Sequence, residues 1–300
     1  MRIIFRCDPA LLDVLERPLL AKSALPDWLR SVAPRTASPL HMRSIRTVKQ
    51  CPPFVDAMSH GFLIPLPCDV LVNKGQFSWD WSLPALQTEN QPRTPLSFHV
   101  SEQLTGSPLG RAGQSAVKFN SFWTIETEPA WSVMAVHPVN RDDLPFRLVS
   151  GLVDADSFHA VGINFPAVWT DSNFEGTLPR GMPIAQCFVV PRQTCELVCE
   201  ALDADHTAAF DSVAEKIKGG PGVYRKARRQ KRAAERLNAI TRWADDQDAA
   251  PSWPPHARKP APCDLAEATA KPSADALPGA QAADAAPGRK ATRRAQFGPR

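Results

Sequence analysis

Apolar and polar side chains alternate along most of the first two-thirds of the chain. In the run Val117-Lys118-Phe119-Asn120-Ser121-Phe122-Trp123-Thr124-Ile125, the side chains of Val117, Phe119, Trp123 and Ile125 share one face at period two. That is the pattern of a half-buried strand. Phe77, Trp79 and Trp81 alternate with Ser78 and Asp80, and Leu96, Phe98 and Val100 with Ser97, His99 and Ser101. Further strands are predicted over 44–49, 62–66, 70–72, 131–137, 147–153, 161–165 and 184–190. Prolines interrupt these runs throughout and leave no room for long helices. Short strands divided by turn residues predict a mainly β fold, an antiparallel sandwich or jelly-roll-like domain over 1–195. No strand–helix rhythm is present, which argues against a doubly wound sheet.

The period changes towards the C-terminus. Before it, only 9–16 reads as a short helix, with Leu11, Leu12 and Leu15 ahead of Pro18. Over 205–218, Ala209, Phe210, Val213 and Ile217 form one stripe, with Asp205 as the expected N-cap and Gly219-Gly220-Pro221-Gly222 as the stop. A second helix is predicted over 223–245, its apolar positions being Ala233, Leu237, Ile240 and Ala244. Together these make a helical extension over 196–248. Residues 249–300 are rich in Ala and Pro without an apolar face, and are expected to form a disordered tail.

Charge sharpens this division. Residues 1–215 hold 17 Lys or Arg against 23 Asp or Glu, while 216–243 hold ten basic residues and one acid, a local balance of +9. The basic cluster is Arg225, Lys226, Arg228, Arg229, Lys231 and Arg232. It suits a nucleic acid or an acidic protein as partner, or docking on the acidic body of the same chain. Its first turns lack large apolar anchors, and no apolar run approaches the ~20 residues of a membrane span. Seven scattered cysteines and no apolar leader imply free thiols and a cytoplasmic setting.

A set of strings carries a resemblance: Leu25-Pro26-Asp27-Trp28, Pro53-Phe54-Val55-Asp56-Ala57-Met58, Gly61-Phe62 with Ile64-Pro65-Leu66, and His99 with Gln103 and Gly106. Trp123-Thr124-Ile125, Pro138-Val139-Asn140-Arg141, Gly151-Leu152-Val153-Asp154, Ile163-Asn164-Phe165-Pro166 and Pro183-Ile184-Ala185-Gln186 complete it. Over roughly 25–192 the chain resembles an uncharacterised domain family of bacteria and tailed bacteriophages. That family has no assigned activity, so the resemblance carries over no catalytic residue or cofactor. It implies a phage or mobile-element origin.

Candidate chemistry is sparse. Iron-binding jelly rolls present His-x-Asp/Glu with a distant His. His99, His137 and His159 all lack an acid two residues later, although Asp154 and Asp156 could meet His99 or His137 in space. Cys187, Cys195 and Cys199 lack the second close pair of a structural zinc site. No nucleophile elbow, Walker loop or dinucleotide fingerprint occurs. A regular strand through 97–103 would put Ser97, His99, Ser101 and Gln103 on one polar face, fit to line a ligand cavity. His159 shares a period-two face with Val161, Ile163 and Phe165 and is expected in the core. The tryptophans are expected in the core rather than as stacking platforms. The leading reading is a soluble, non-enzymatic binding or interaction module. The alternative is a cupin-like or jelly-roll enzyme acting on a small molecule through His99, His137, Asp154 and Asp156, with Gln103 a further ligand-binding candidate beside His99. The two differ in whether those side chains converge. No metal or cofactor is assigned.

Overall fold

The computed structural model describes residues 1–109, 116–220 and 222–248. The chain divides into two units, one running to Leu197 and the other starting at Val198.

The first unit opens with β1 (Ile4–Arg6), β2 (Leu19–Leu20), α1 (Asp27–Ser31), β3 (Arg35–Ser38), β4 (Arg43–Arg46) and α2 (Pro52–Ser59). There follow β5 (Phe62–Pro65), β6 (Val70–Asn73), β7 (Gln76–Ser78), β8 (Leu96–Phe98), β9 (Ala116–Phe119) and β10 (Thr124–Glu126). The last strands are β11 (Trp131–Val136), β12 (Phe146–Leu148), β13 (Gly151–Val153), β14 (Phe165–Trp169), β15 (Gly176–Leu178) and β16 (Pro183–Pro191). All pairings between these strands are antiparallel. The sheets have the orders β13-β11-β16-β5-β2, β12-β14-β9-β8 and β15-β6-β7, with two further pairs, β1–β10 and β3–β4.

Inward side chains of the three larger sheets meet in one core. Ile64, Val133 and Cys187 come from the five-stranded sheet, Phe119, Phe146 and Phe165 from the four-stranded one, and Val70 and Val72 from the third. Phe119 and Phe146 lie 4.8 Å apart between ring centres, as do Phe77 and Trp169, edge to face. Each such buried ring contributes roughly 1.5–3 kcal/mol. Of the tryptophans expected in the core, Trp123 and Trp169 are buried, whereas Trp79, Trp81 and Trp131 are only half-buried. Strand β5 enters this core through a tight approach. Gly61 has φ +72°, and a Cβ there would stand 2.0 Å from the Cys187 carbonyl oxygen, so only glycine fits.

The run 117–125, expected as one strand, is two. Asn120 Nδ2 donates to the Thr94 carbonyl at 3.0 Å, and Ser121 Oγ donates to the Trp123 carbonyl at 2.7 Å while accepting from Trp123 N–H. These local bonds compete with the ladder and turn the chain. Val117 and Phe119 thus stay in β9, Ile125 pairs across to β1, and Phe122 and Trp123 join Leu11 and Leu15 in a second cluster. The predicted strand 147–153 likewise divides into β12 and β13, in different sheets. Of 161–165 only Phe165 is in a regular strand, and β14 continues to Trp169 despite Pro166. The ladder to β12 ends at Leu148↔Ala167, and the Pro166 carbonyl accepts from Val149 N–H at 2.8 Å, so no donor is required of the proline. The helix expected over 9–16 is a single 3₁₀ turn, Pro9–Leu11, with Asp8 Oδ1 accepting from Ala10 N–H.

The second unit contains α3 (Ala204–Gly219) and α4 (Val223–Asp248). Asp203, not Asp205, is the N-cap: its Oδ1 accepts from His206 N–H at 2.7 Å. Asp205 instead sits inside the first turn, where an acid complements the helix dipole. Among the described residues no helix is long and apolar enough to cross a membrane. Residues 249–300, expected as a disordered tail, lie outside the described residues, as does Cys263.

Candidate functional site

The polar face predicted over 97–103 does not form, because the strand ends at Phe98 and residues 101–104 turn into a 3₁₀ helix. Ser97 Oγ donates to Asn120 Oδ1 at 3.2 Å. The turn nevertheless brings His99 and Gln103 together, with Nδ1 2.6 Å from Oε1. An amide oxygen only accepts, so the imidazole donates through Nδ1 and keeps Nε2 for another partner. This pair lies at the edge strand of the four-stranded sheet, where His99 N–H continues the ladder to the Ala116 carbonyl.

His137 stands just beyond the end of β11. Its Nε2 donates to the Arg141 carbonyl at 3.0 Å, and Nδ1 accepts from Leu148 N–H at 3.3 Å. The ring packs edge-on against Phe146. Both nitrogens are therefore engaged in holding the 138–148 loop, which leaves none to meet a substrate.

Asp154 and Asp156 meet at the opposite end of the same strand. Ser132 Oγ donates to Asp154 Oδ1 at 2.6 Å, and Ala130 N–H to Asp156 Oδ2 at 2.9 Å. Arg192, immediately after β16, closes the group: Nη1 is 2.7 Å from Asp156 Oδ1 and 3.3 Å from Asp154 Oδ1, and Nη2 is paired with Asp156 Oδ2. The hydrogen bonds from Arg192 hold the Asp156 carboxyl well below the usual carboxylate range, and Arg192 is held above its own. This cluster pins the last strand to the turn before β11. Ser132 and His137 are five residues apart on an extended strand, roughly 17 Å. The histidines and aspartates proposed to share a site occupy three separate places.

Other candidates fall in the same way. His159, expected in the core, is half-exposed in the turn after β13, its Nδ1 3.0 Å from the Asp156 carbonyl. Among the described residues no three His, Cys, Asp or Glu side chains are placed to hold a metal ion. Cys187 is wholly buried in β16, whereas Cys195 and Cys199 are exposed beyond its end. A cleft lined by Leu15, Glu16, Ile64, Asn120 and Trp123 has a volume of about 10 Å³, room for about one water molecule.

No family model and no curated protein sequence matches this chain.

Cationic surface is the feature that remains. On α4, Lys226, Arg229, Lys231 and Arg232 are exposed, and Arg225 and Arg228 are half-buried. A second cationic element was not singled out from the sequence. The β3–β4 hairpin carries Arg35, Arg43 and Arg46, and residues 28–55 contain five Lys or Arg and no Asp or Glu. The signal was legible as an acid-free stretch, but summing charge over 1–215 concealed it. Arg192, the hub of the two aspartates, gave no local signal because its partners lie 36 and 38 positions earlier.

Proposed function

We propose that the chain is a non-catalytic interaction module of the uncharacterised bacterial and phage domain family it resembles, and that it binds a polyanion through the basic segment of α4. The observation that carries this reading is the exposure of Lys226, Arg229, Lys231 and Arg232 within a segment of net charge +9. The candidate catalytic groups support it from the other side: His137, Asp154 and Asp156 are engaged in internal hydrogen bonds, and His99 is paired with Gln103. Six described cysteines are free thiols, in keeping with a cytoplasmic setting.

Binding of heparin or duplex DNA, followed by anisotropy across a salt series, tests the reading. Replacing Arg228, Arg229, Lys231 and Arg232 together with Gln should weaken binding. The slope of log K against log salt should flatten by about 0.9 for each duplex phosphate contact removed. An unchanged slope would place the contact elsewhere, and absence of binding by the parent chain would remove the reading.

A further inference from the structure

The β3–β4 hairpin pairs with no other strand of the described residues, so both its edges are open. An isolated two-stranded hairpin is at best marginally stable in water. Its base is accordingly tied: Thr47 N–H donates to the Pro34 carbonyl at 3.2 Å, Thr47 Oγ1 to the Ala33 carbonyl at 2.6 Å, and Lys49 Nζ to the Arg30 carbonyl. The tip, Pro39-Leu40-His41-Met42, is closed by Ser38, whose Oγ accepts from His41 N–H. Leu40 and Met42 are 88% and 89% exposed and have no part in either core cluster.

We propose that this hairpin is an arm that enters the major groove of duplex DNA. The inference rests on the reading of the chain as an interaction module, and adds a second element and a partner class. Three observations carry it. The first is shape: four residues per strand span roughly 14 Å, enough to fill a groove ~8.5 Å deep, and a two-stranded ribbon fits its ~12 Å width. The second is the placement of charge. Arg35 stands directly opposite Arg46 on one face, and Arg43, opposite Ser38, lies on the other. Like charges facing each other destabilise a hairpin on its own. Cations on both faces suit a groove with two phosphate walls, whereas a flat acidic protein surface would meet only one of them. The third is the tip, where exposed Leu40 and Met42 are suited to apolar contact with thymine methyl groups on the groove floor. Arg35 is already half-oriented, its Nε donating to Ser44 Oγ at 3.1 Å and its Nη2 to the Ser44 carbonyl at 2.6 Å.

Anisotropy with the full chain tests the arm against a DNA duplex of about 20 base pairs, its single strand, an RNA duplex and polyglutamate, across a salt series. The combined change Arg35→Gln, Arg43→Gln and Arg46→Gln should weaken DNA-duplex binding at least about tenfold and flatten the salt slope by about 2 to 3. Leu40→Ser with Met42→Ser should weaken duplex binding while leaving the slope as it was. All of these residues are exposed except Arg46, which is half-buried, and unaltered unfolding temperatures would exclude a folding defect. Duplex binding that depends on the α4 cations but not on the arm would overturn the arm and leave the interaction reading intact. Arm-dependent binding of polyglutamate as tight as that of DNA would overturn it in favour of an acidic protein. Equal arm dependence on the RNA duplex, whose major groove is too narrow for a ribbon, would overturn the groove. Absence of binding to every polyanion would overturn both proposals.

Discussion

Gln186 illustrates how a single polar side chain can hold a β domain together. It is 2% exposed on β16, and its Nε2 donates to the carbonyls of Ala57 and His60 at 2.9 and 2.7 Å while Oε1 accepts from Val139 N–H at 3.0 Å. One amide thus joins the last strand to the end of α2 and to the loop after β11. A buried amide is tolerated only when such bonds are complete. Gln186→Leu keeps the bulk but strands two carbonyls and one N–H, at about 1–3 kcal/mol for each group left unpaired. The variant should unfold with a stability loss of about 3 kcal/mol or more by urea titration. A loss below about 1 kcal/mol would mean that water reaches these groups. By contrast, His99 is only half-buried, and His99→Ala should change stability by less than about 1 kcal/mol in the same assay.

At the scale of elements, Arg192 and Asp156 decide how β16 leaves the sheet. The folded-state pKa of Asp156 is depressed by Arg192, so the contribution of the pair is complete above the ordinary carboxylate pKa of about 3.9 and is lost as pH falls through the lower folded-state value. Asp156→Asn should therefore lower the melting temperature at pH 7, and the gap to the parent chain should close from about pH 4 downwards. A gap independent of pH would assign the loss to packing rather than to the ion pair. The elements themselves were legible where burial marks the sequence. The predicted strands at 70–72 and 131–137 correspond to β6 and β11, where buried and exposed positions interchange, and those at 62–66 and 184–190 to β5 and β16, which hold four successive buried residues each and read as short apolar runs. β3 was not legible, since its face of Arg35 and Ala37 meets water and leaves no apolar period. The break between β9 and β10 was hidden by a run of apolar residues whose members serve two different clusters. In the candidate site, a regular strand would have set His99 and Gln103 roughly 14 Å apart on one face; the turn over 101–104 instead brings them into hydrogen-bond contact.

At the scale of the whole molecule, the described cysteines sort by burial. Cys68 and Cys187 lie in the core and Cys51, Cys195 and Cys199 at the surface. Burial pushes the Cys68 thiol up to about 12, with Asp69 adding to it, and raises Cys187 further. Thiolate is the reacting form. Alkylation of the native chain at pH 8, read by mass spectrometry, should label Cys51, Cys195 and Cys199 first and leave Cys68 and Cys187 until denaturant is added. Rapid native labelling of Cys187 would mean that the five-stranded sheet opens readily.

The pairing of β5 with β16 has a consequence in time. Phe62 faces Cys187 across the ladder, so the two partners are separated by most of the first unit. On a ribosome adding about 5–20 residues per second, β5 waits roughly 6–25 s before its partner exists. Meanwhile Phe62-Leu63-Ile64-Pro65, all buried in the finished fold, has only the two residues of β2 along one edge and nothing along the other. A nascent chain of this protein therefore exposes a strand destined to be buried at every residue for longer than hydrophobic collapse takes, and its yield depends on what shields that strand during synthesis.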